Sequence, residues 1–359
     1  MTLRLLDGSE AMAEAAVVAG LRFYAAYPMS PATDLLEEMS KKLPASGGVC
    51  INADTEIEGI MMAMGAAATG NRAATGSTGG GCALMQEAIA EAAIAGTPLV
   101  VFTISRSQQD YRQATKGGGW GDYNTIVFAP KDVSEAVEHV QKLFHLADKY
   151  RCVCILLADN IIARTQTSVD VSRLDFDPLP DKSAWLLDGS TSGSGKARLH
   201  WSWGIGKVNS RHPGGVNGYW NEIAEKFREI ARAEQHWEEA HCADAELIVV
   251  AYGTAGKFVE YVVDEMRATG SRVGYFRPIS LWPFPGEALE RATAHAQRVA
   301  VFELNAGQMI EDVTRFVDRS KVYAIGGISS DDDGLNIGKM MAAGEVRRRI
   351  ADALRELQP

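Results

Sequence analysis

Apolar residues form short continuous runs along the first half of the chain, separated by segments with helical spacing. The runs LRFYAAY, ending at Tyr27, and PLVVFTIS, ending at Ser105, are apolar on both faces, as in strands of a covered parallel sheet. Residues 9–19 and 31–42 instead carry small or apolar residues at helical spacing. This alternation predicts an α/β domain with a largely parallel sheet over residues 1–170.

The pattern changes twice after residue 170. Pro, Gly, Ser and Trp are common at first, and residues 220–241 then resemble one polar helix, so we interpret 171–243 as a connector. Its GSTSGSGK segment is not a phosphate-binding loop, because Ser190 stands where that pattern requires glycine. The runs ELIVVAYGT, RVGYFRP, RVAVFEL and KVYAIGG predict a second α/β domain over residues 244–359.

Composition and charge narrow the class of protein. The chain has 359 residues, a formal net charge of -10 and a pI of about 5.3. Surfaces that bind nucleic acid or anionic membranes need a basic patch, so we expect neither partner. We find no apolar stretch of membrane-spanning length and no signal-peptide pattern. The expectation is a cytoplasmic enzyme with two domains.

The cysteines and histidines predict no metal site on this chain. The five cysteines are Cys50, Cys82, Cys152, Cys154 and Cys242. Their number is odd and no Cys-x-x-Cys pair occurs, whereas Cys152 and Cys154 would lie on one face of a buried strand. We therefore expect reduced, mostly buried thiols and no iron–sulfur cluster. The seven histidines lack the HExxH spacing of a zinc site.

Two candidate segments lie at the beginning of predicted helices, and the first of them also follows a predicted strand, the position at which parallel sheets bind ligands. In Tyr27–Pro31, two prolines stiffen the loop and Ser30 presents a hydroxyl, which could alternatively cap the next helix. Glu56 opens a helix of apolar or very small residues, so its carboxylate would be partly desolvated and could share a proton with a ligand nitrogen. The alternative is that Asp54, Glu56 and Glu58 are favourable charges at a helix N-terminus.

Glycine and arginine mark two further strand ends. The segment GSTGGGCALMQ, residues 76–86, is a strand-to-helix turn whose glycines let a ligand approach backbone N–H groups. Arg106 follows PLVVFTIS and could bind a carboxylate through two hydrogen bonds, although most surface arginines have no such role. The segment KGGGWGD, residues 116–122, is too rich in glycine for regular structure and predicts a functional or tightly turning loop.

Taken in order, these segments resemble the alpha subunits of 2-oxoacid:ferredoxin oxidoreductases, above all the branched-chain (2-oxoisovalerate) type. YPMSPATDLLEEM resembles the family's YPITP segment, and TEIEGIMMAMGAAATGNRAATGSTGGGCALMQE resembles its glutamate helix and glycine-rich turn. DYRQATKGGGWGDYNTIVFAPKDVSEAVEH, VAYGT, FRPISLWPFP and ELNAGQMIEDV follow in the same order. The resemblance implies a thiamine diphosphate-binding (pyrimidine-type) parallel-sheet domain followed by a transketolase C-terminal-like α/β domain.

The resemblance also implies roles for individual residues. The implied cofactor-binding residues are Glu56, Tyr27, Pro28, Gly80 and Gly81. Among them, Glu56 falls on the catalytic glutamate that bonds the aminopyrimidine nitrogen of thiamine. Ser30 falls on a catalytic threonine that contacts the substrate; it keeps the hydroxyl and lacks the methyl group. Arg106 falls on the arginine that binds the substrate carboxylate. The segment after Arg106 is shorter than in the family, so Arg112 stays an alternative for that role.

The signature Gly-Asp-Gly followed by Asn, which anchors thiamine diphosphate, is absent from this chain. In this family the diphosphate, its Mg²⁺ ion and the proximal iron–sulfur cluster belong to a beta subunit. The resemblance therefore implies a cofactor shared with a beta subunit, together with gamma and ferredoxin-like delta subunits. The implied reaction converts a 2-oxoacid, coenzyme A and oxidised ferredoxin to acyl-CoA, CO2 and reduced ferredoxin. A pyruvate or 2-oxoglutarate enzyme and a non-catalytic, partner-binding paralogue are the alternatives.

Overall fold

The computed structural model describes residues 3–189, 214–327 and 342–355 of the chain. The strands in these ranges are β1 Arg4–Asp7, β2 Leu21–Ala26, β3 Val49–Asn52, β4 Arg72–Ser77, β5 Leu99–Ser105, β6 Ile126–Phe128, β7 Val153–Asp159, β8 Gln166–Val169, β9 Trp237–Ala240, β10 Leu247–Val250, β11 Val273–Pro278, β12 Ser280–Trp282, β13 Arg298–Val301 and β14 Val322–Ala324. The α-helices are α1 Gly8–Val18, α2 Ala32–Ala45, α3 Glu56–Ala68, α4 Gly79–Leu84, α5 Gln86–Ala95, α6 Tyr111–Lys116, α7 Val133–Tyr150, α8 Asn160–Arg164, α9 Gly215–Ala233, α10 Gly253–Ala268, α11 Gly286–Thr293, α12 Ile310–Val313 and α13 Ala343–Arg355.

The larger sheet has seven strands in the order β12-β6-β7-β5-β4-β2-β3. Every neighbouring pair from β6 to β3 is parallel, whereas β12 comes from the second half of the chain and pairs antiparallel with β6. The carboxyl ends of β2, β3, β4 and β5 therefore lie along one edge of the sheet. A separate two-stranded ribbon pairs β1 antiparallel with β8.

The second sheet has five strands in the order β14-β13-β10-β11-β9. Its strands are parallel except β9, which pairs antiparallel with β11 at the edge. Helices α10 and α13 pack together against this sheet, with Val259, Val263 and Ile350 buried in the cluster that they form with its strands.

Apolar packing joins the two α/β units. One buried cluster contains Ile60 of α3 and Ile89 of α5 together with Ile248 and Val301 of the second sheet. The other face of the larger sheet is covered by α1, α2 and α7, and by side chains of α9. The two units therefore share a core, which fixes the strand ends of the larger sheet relative to the second unit.

The predicted α/β fold with a largely parallel sheet is confirmed, and most of the predicted strands and helices occur within a few residues of their predicted positions. The observed helices differ from the predicted ones in two places, after the glycine-rich turn and before β7. The predicted single helix after the glycine run is two helices, α4 and α5, that meet at Met85. The long helix α7 lies in a segment for which no helix was predicted, although its apolar residues recur at helical spacing.

The prediction of one helix over residues 220–241 is wrong at its C-terminal end. Helix α9 ends at Ala233, and residues 237–240 form β9. These residues alternate between exposed and half-buried because β9 is an edge strand. Their composition is therefore polar and lacks the apolar, β-branched residues by which a strand is predicted. The predicted boundary at residue 243 thus falls after a strand that belongs to the second sheet. The GSTSGSGK segment lies outside the described residues, apart from Gly189.

Candidate functional site

The candidate site lies at the carboxyl edge of the larger sheet, where parallel α/β sheets bind ligands. We use "candidate site" for the side chains and backbone that meet there. Its members are Ser30 after β2, Glu56 after β3, Ser77 at the end of β4, Gly81 in α4 and Arg106 after β5. Residues far apart in sequence thus meet because four successive parallel strands end together.

Glu56 is the buried carboxylate of this site. It is the first residue of α3, and its exposed fraction is only 3%. Oε1 accepts a hydrogen bond from the Ser77 hydroxyl at 3.1 Å, and within the described part of the chain Oε2 has no hydrogen-bond partner. Both Glu56 and Glu58 lie in the first turn of α3, but it is the carboxylate of Glu58 that accepts a hydrogen bond from a backbone N–H, that of Asp54 at 2.8 Å. Glu56 is therefore free to bond a ligand.

The glycine turn that begins α4 lies directly against this carboxylate. A Cβ atom on Gly81 would lie 2.3 Å from Glu56 Oε1 and 2.1 Å from Ser77 Oγ, so only glycine fits there. A Cβ on Gly80 would meet no atom within 4 Å, so Gly80 faces open space. The hydroxyl of Thr78, in the same turn, is buried and has no hydrogen-bond partner among the residues that the structure describes. Buried polar groups of this kind normally have partners, so the turn is suited to a polar ligand.

Ser30 and Arg106 lie side by side at the exposed rim of the site. The guanidinium Nε of Arg106 donates to the Ser30 carbonyl oxygen at 3.2 Å. Helix α2 has Pro31 as its N-cap and no side-chain cap, so the alternative that Ser30 caps this helix is not supported. Tyr27 and Pro28, in the same loop, are exposed.

Arg112, the alternative carboxylate-binding residue, points toward the second unit. Its guanidinium pairs with Glu311 at 2.5 Å, and its backbone N–H donates to Gln308 Oε1 at 2.8 Å. By contrast, no carboxylate in the part of the chain that the structure describes pairs with Arg106. The geometry therefore favours Arg106 over Arg112 as a group available to a substrate carboxylate.

A buried carboxylate that was not predicted from the sequence, that of Asp110, lies four residues after Arg106. Asp110 accepts hydrogen bonds from Ser105 Oγ at 2.5 Å, Gln113 Nε2 at 2.7 Å and the Gly79 backbone N–H at 3.4 Å. The segment that contains it also binds the second unit, because Gln108 Nε2 donates to the Tyr252 carbonyl and Gln108 Oε1 accepts from Leu304 N. The two contacts of Gln108 span more than 100 residues, so no local pattern could have indicated them.

The cysteines and the remaining polar groups hold no metal site within the described ranges. No cluster of three or more His, Cys, Asp or Glu side chains could bind a metal ion there. Cys82, Cys152 and Cys154 are buried free thiols and Cys50 and Cys242 are half-buried ones, and burial raises the pKa of Cys82 to about 12. Among the described helices, none is both long and apolar enough to cross a membrane.

Comparisons with protein families and solved structures define the class. Residues 14–184 match the family described as pyruvate flavodoxin/ferredoxin oxidoreductase, thiamine diphosphate-binding, and residues 245–333 match pyruvate:ferredoxin oxidoreductase core domain II. The structure of 2-oxoglutarate:ferredoxin oxidoreductase from Magnetococcus marinus superposes with a TM-score of 0.82 at 21% identity, covering 98% of this chain and 65% of that one. A split-gene transketolase superposes with a TM-score of 0.58 at 13% identity, covering 98% of each chain. The fold is that of thiamine diphosphate-binding α/β proteins.

Sequence relatives specify the family. Ketoisovalerate oxidoreductase subunit VorB of Methanothermobacter marburgensis is 33% identical over 323 residues, covering 87% of this chain and 89% of the relative. The 2-oxoglutarate synthase subunit KorA of Methanocaldococcus jannaschii is 32% identical over 350 residues, covering 89% and 93%. The chain belongs to the 2-oxoacid:ferredoxin oxidoreductase family, as its sequence resemblance predicted, and its relatives are subunits of oxidoreductases.

Proposed function

We propose that this chain is the alpha, thiamine-pyrimidine-binding subunit of a 2-oxoacid:ferredoxin oxidoreductase that acts on a branched-chain 2-oxoacid. The observation that carries the proposal is the buried carboxylate of Glu56. One of its oxygens has no hydrogen-bond partner within the described ranges, and a glycine turn packs against it. A carboxylate held in this way fits the protonated nitrogen of an aminopyrimidine ring. The match of residues 14–184 to a thiamine diphosphate-binding domain supports the same ligand.

Each residue of the candidate site has a distinct role in this proposal. Glu56 Oε2 would hold a proton at the pyrimidine nitrogen, while Ser77 fixes the carboxylate through Oε1. Gly80 and Gly81 would let the ring approach the backbone, and Tyr27 and Pro28 would border it. When bound, thiamine diphosphate supplies the carbon nucleophile and the electron sink for decarboxylation; the protein's contribution is to orient it.

The substrate would be bound at the rim of the site. Arg106 is well placed to bind the carboxylate of a 2-oxoacid, because its guanidinium is exposed and none of the described carboxylates neutralises it. The hydroxyl of Ser30, beside it, would contact the substrate near its 2-oxo group. The similarity to VorB, a ketoisovalerate oxidoreductase subunit, favours a branched-chain 2-oxoacid as the substrate. The similarity to KorA and to a pyruvate synthase subunit leaves 2-oxoglutarate and pyruvate as alternatives.

A partner subunit would complete the site. Ile57, Met61 and Leu84 are each more than half exposed and lie on α3 and α4 next to Glu56 and the glycine turn. Large apolar side chains exposed around a binding site are typical of a protein interface. We assign this surface to a beta subunit that holds the diphosphate, its Mg²⁺ ion and an iron–sulfur cluster. Gamma and delta subunits, coenzyme A and ferredoxin would complete the cytoplasmic complex.

The proposal is tested on the complex purified with its co-expressed partner subunits. Reduction of a viologen dye is followed with coenzyme A and each of 2-oxoisovalerate, pyruvate and 2-oxoglutarate. We expect the highest kcat/KM with 2-oxoisovalerate. Highest activity with another 2-oxoacid would change the substrate class, and no activity with any of them would favour a non-catalytic paralogue.

A further inference from the structure

We propose that Asp110 is a positioning residue that holds the glycine turn against Glu56, an inference that rests on the proposed function. The side chain is 5% exposed and lies between the end of β5, which precedes Arg106, and the beginning of α4. No substrate or cofactor contact is assigned to it. Asp110 would act indirectly: it binds Gly79, and Gly79 positions Gly81, which lies two residues later against Glu56.

Asp110 and Gln113 together bind both polar groups of Gly79. The Gly79 N–H donates to Asp110 Oδ2 at 3.4 Å, and the Gly79 carbonyl accepts from Gln113 Nε2 at 3.1 Å. The same Gln113 Nε2 also donates to Asp110 Oδ1 at 2.7 Å, so the two side chains hold each other in place. Gly79 has φ +49°, a left-handed conformation that glycine adopts without strain and other residues rarely adopt.

The position of this turn decides how Glu56 is presented. Gly81 lies so close to the Glu56 carboxylate that a Cβ atom there would overlap it, and a small shift of the turn would therefore displace or cover the carboxylate. The Ser105 hydroxyl, which donates to Asp110 at 2.5 Å, ties this arrangement to β5. A single buried carboxylate thus links the glycine turn to the end of β5.

Replacement by asparagine tests the role because it preserves shape and removes the charge. The Ser105 hydroxyl can donate or accept, so it can still pair with asparagine. Gly79 and Gln113 can only donate at this point, so one of them would face the new NH2 group. We expect Asp110→Asn to lower kcat about tenfold and to raise the apparent Kd for thiamine diphosphate about as much, while the 2-oxoacid KM changes by less than about threefold.

Asp148→Asn is the matched control, because Asp148 is also a buried carboxylate but pairs with Arg72 and Lys182. We expect that variant to lower the unfolding midpoint and to leave kcat and cofactor affinity unchanged. The inference is overturned if Asp110→Asn behaves in the same way, losing stability alone.

If Asp110→Asn does not assemble, Gln113→Met decides the matter, since it removes the Gly79 carbonyl bond without adding a misplaced donor. The same fall in kcat supports the inference, and unchanged kinetics contradict it.

Glu56→Gln distinguishes failure of the proposed function from failure of the role given to Asp110. Full activity of Glu56→Gln would contradict the proposed function, whereas an inactive Glu56→Gln with a normal Asp110→Asn contradicts only the role of Asp110.

Discussion

The candidate site and the contact between the two α/β units both concentrate charged side chains, but they use them in opposite ways. We use "charge cluster" for the second group. Its members are Arg277 of β11, Glu135 of α7, Glu238 of β9, Glu260 of α10 and Lys131. Arg277 is completely buried and pairs with Glu135 at 2.6 Å and with Glu238 at 2.9 Å. The cluster thus satisfies its own buried cation.

The pKa values in the charge cluster follow from this mutual pairing. Burial alone would lower the pKa of Lys131, but hydrogen bonds to Glu238 and Glu260 raise it above its ordinary value. Burial alone would likewise raise the pKa of Glu238, but Lys131 and Arg277 lower it below its ordinary 4.5. In the candidate site, by contrast, Glu56 Oε2 and the Arg106 guanidinium find no partner of opposite charge among the described residues. This difference supports our proposal that a ligand and a second subunit complete the candidate site.

The largest effect that we predict is on Glu56. Glu56→Gln keeps the shape of the side chain and its bond from Ser77, but a neutral amide cannot hold a proton at the pyrimidine nitrogen. We expect kcat to fall by about two to four powers of ten while the complex stays assembled. Steady-state kinetics and size-exclusion chromatography measure the two properties; near-normal kcat would remove Glu56 from its role.

The next largest effect is a loss of stability in the charge cluster. Arg277→Met leaves the carboxylates of Glu135 and Glu238 close together without their buried cation. We expect a loss of about 3–5 kcal/mol from the free energy of unfolding, with the 2-oxoacid KM unchanged. Urea unfolding measures the loss. A changed KM with unchanged stability would reverse the roles that we give to the two regions.

The charge cluster also predicts that the stability of the folded protein depends on pH. Since the folded-state pKa of Glu238 is lowered, its stabilising contribution is present above its ordinary 4.5 and is lost as the pH falls through the folded-state value. The urea midpoint should therefore fall on acidification below about pH 4.5, and less steeply in Arg277→Met. Equal slopes for both proteins would contradict this contribution.

A smaller effect is expected at the rim of the candidate site. Arg106→Ala should raise the 2-oxoacid KM by roughly thirtyfold, equivalent to about 2 kcal/mol, because the substrate carboxylate loses its paired cation. Arg106→Lys should recover only part of the affinity, since an ammonium group cannot make the planar two-bond contact. Kinetics across a range of 2-oxoacid concentrations give both values.

Arg112→Ala is the control for that measurement and should have the smallest effect. The pair of Arg112 with Glu311 is more than half exposed, so its loss should cost less than about 1 kcal/mol of stability. The 2-oxoacid KM should stay within about twofold of the wild-type value. A steep rise in KM for Arg112→Ala but not for Arg106→Ala would transfer the carboxylate-binding role to Arg112.

Local patterns predicted most of the fold, because they mark individual elements. The helix predicted to open at Glu56 does begin there and extends to Ala68, since its Thr55 cap and its apolar residues are local signals. Strand β9 was missed because it is a polar edge strand, and β12 because three residues give no periodic pattern. The place of β12 in the larger sheet depends on its pairing with β6, about 150 residues earlier in the chain.

The residues of the candidate site could be predicted only where a functional side chain lies next to an element that the local sequence predicts. Ser30 and Arg106 each follow a predicted strand, whereas Glu56 opens a predicted helix after β3, a strand that was not predicted. Parallel pairing then brings the three strand ends together. The role of Ser77 as the partner of Glu56 could not be predicted, since it depends on the adjacency of β4 and α3. The contact of Arg112 with Glu311 depends on the packing of two units that are about 200 residues apart.

We propose above that this chain supplies the pyrimidine end of a thiamine diphosphate site and that a second subunit completes it. Calorimetric titration of thiamine diphosphate with Mg²⁺ into the chain alone, and into the purified complex, tests it most directly. We predict stoichiometric binding to the complex, binding to the lone chain that is at least about a hundredfold weaker, and weakened binding to the complex that carries Glu56→Gln. Equally tight binding to the lone chain, or none to the complex, would contradict the claim.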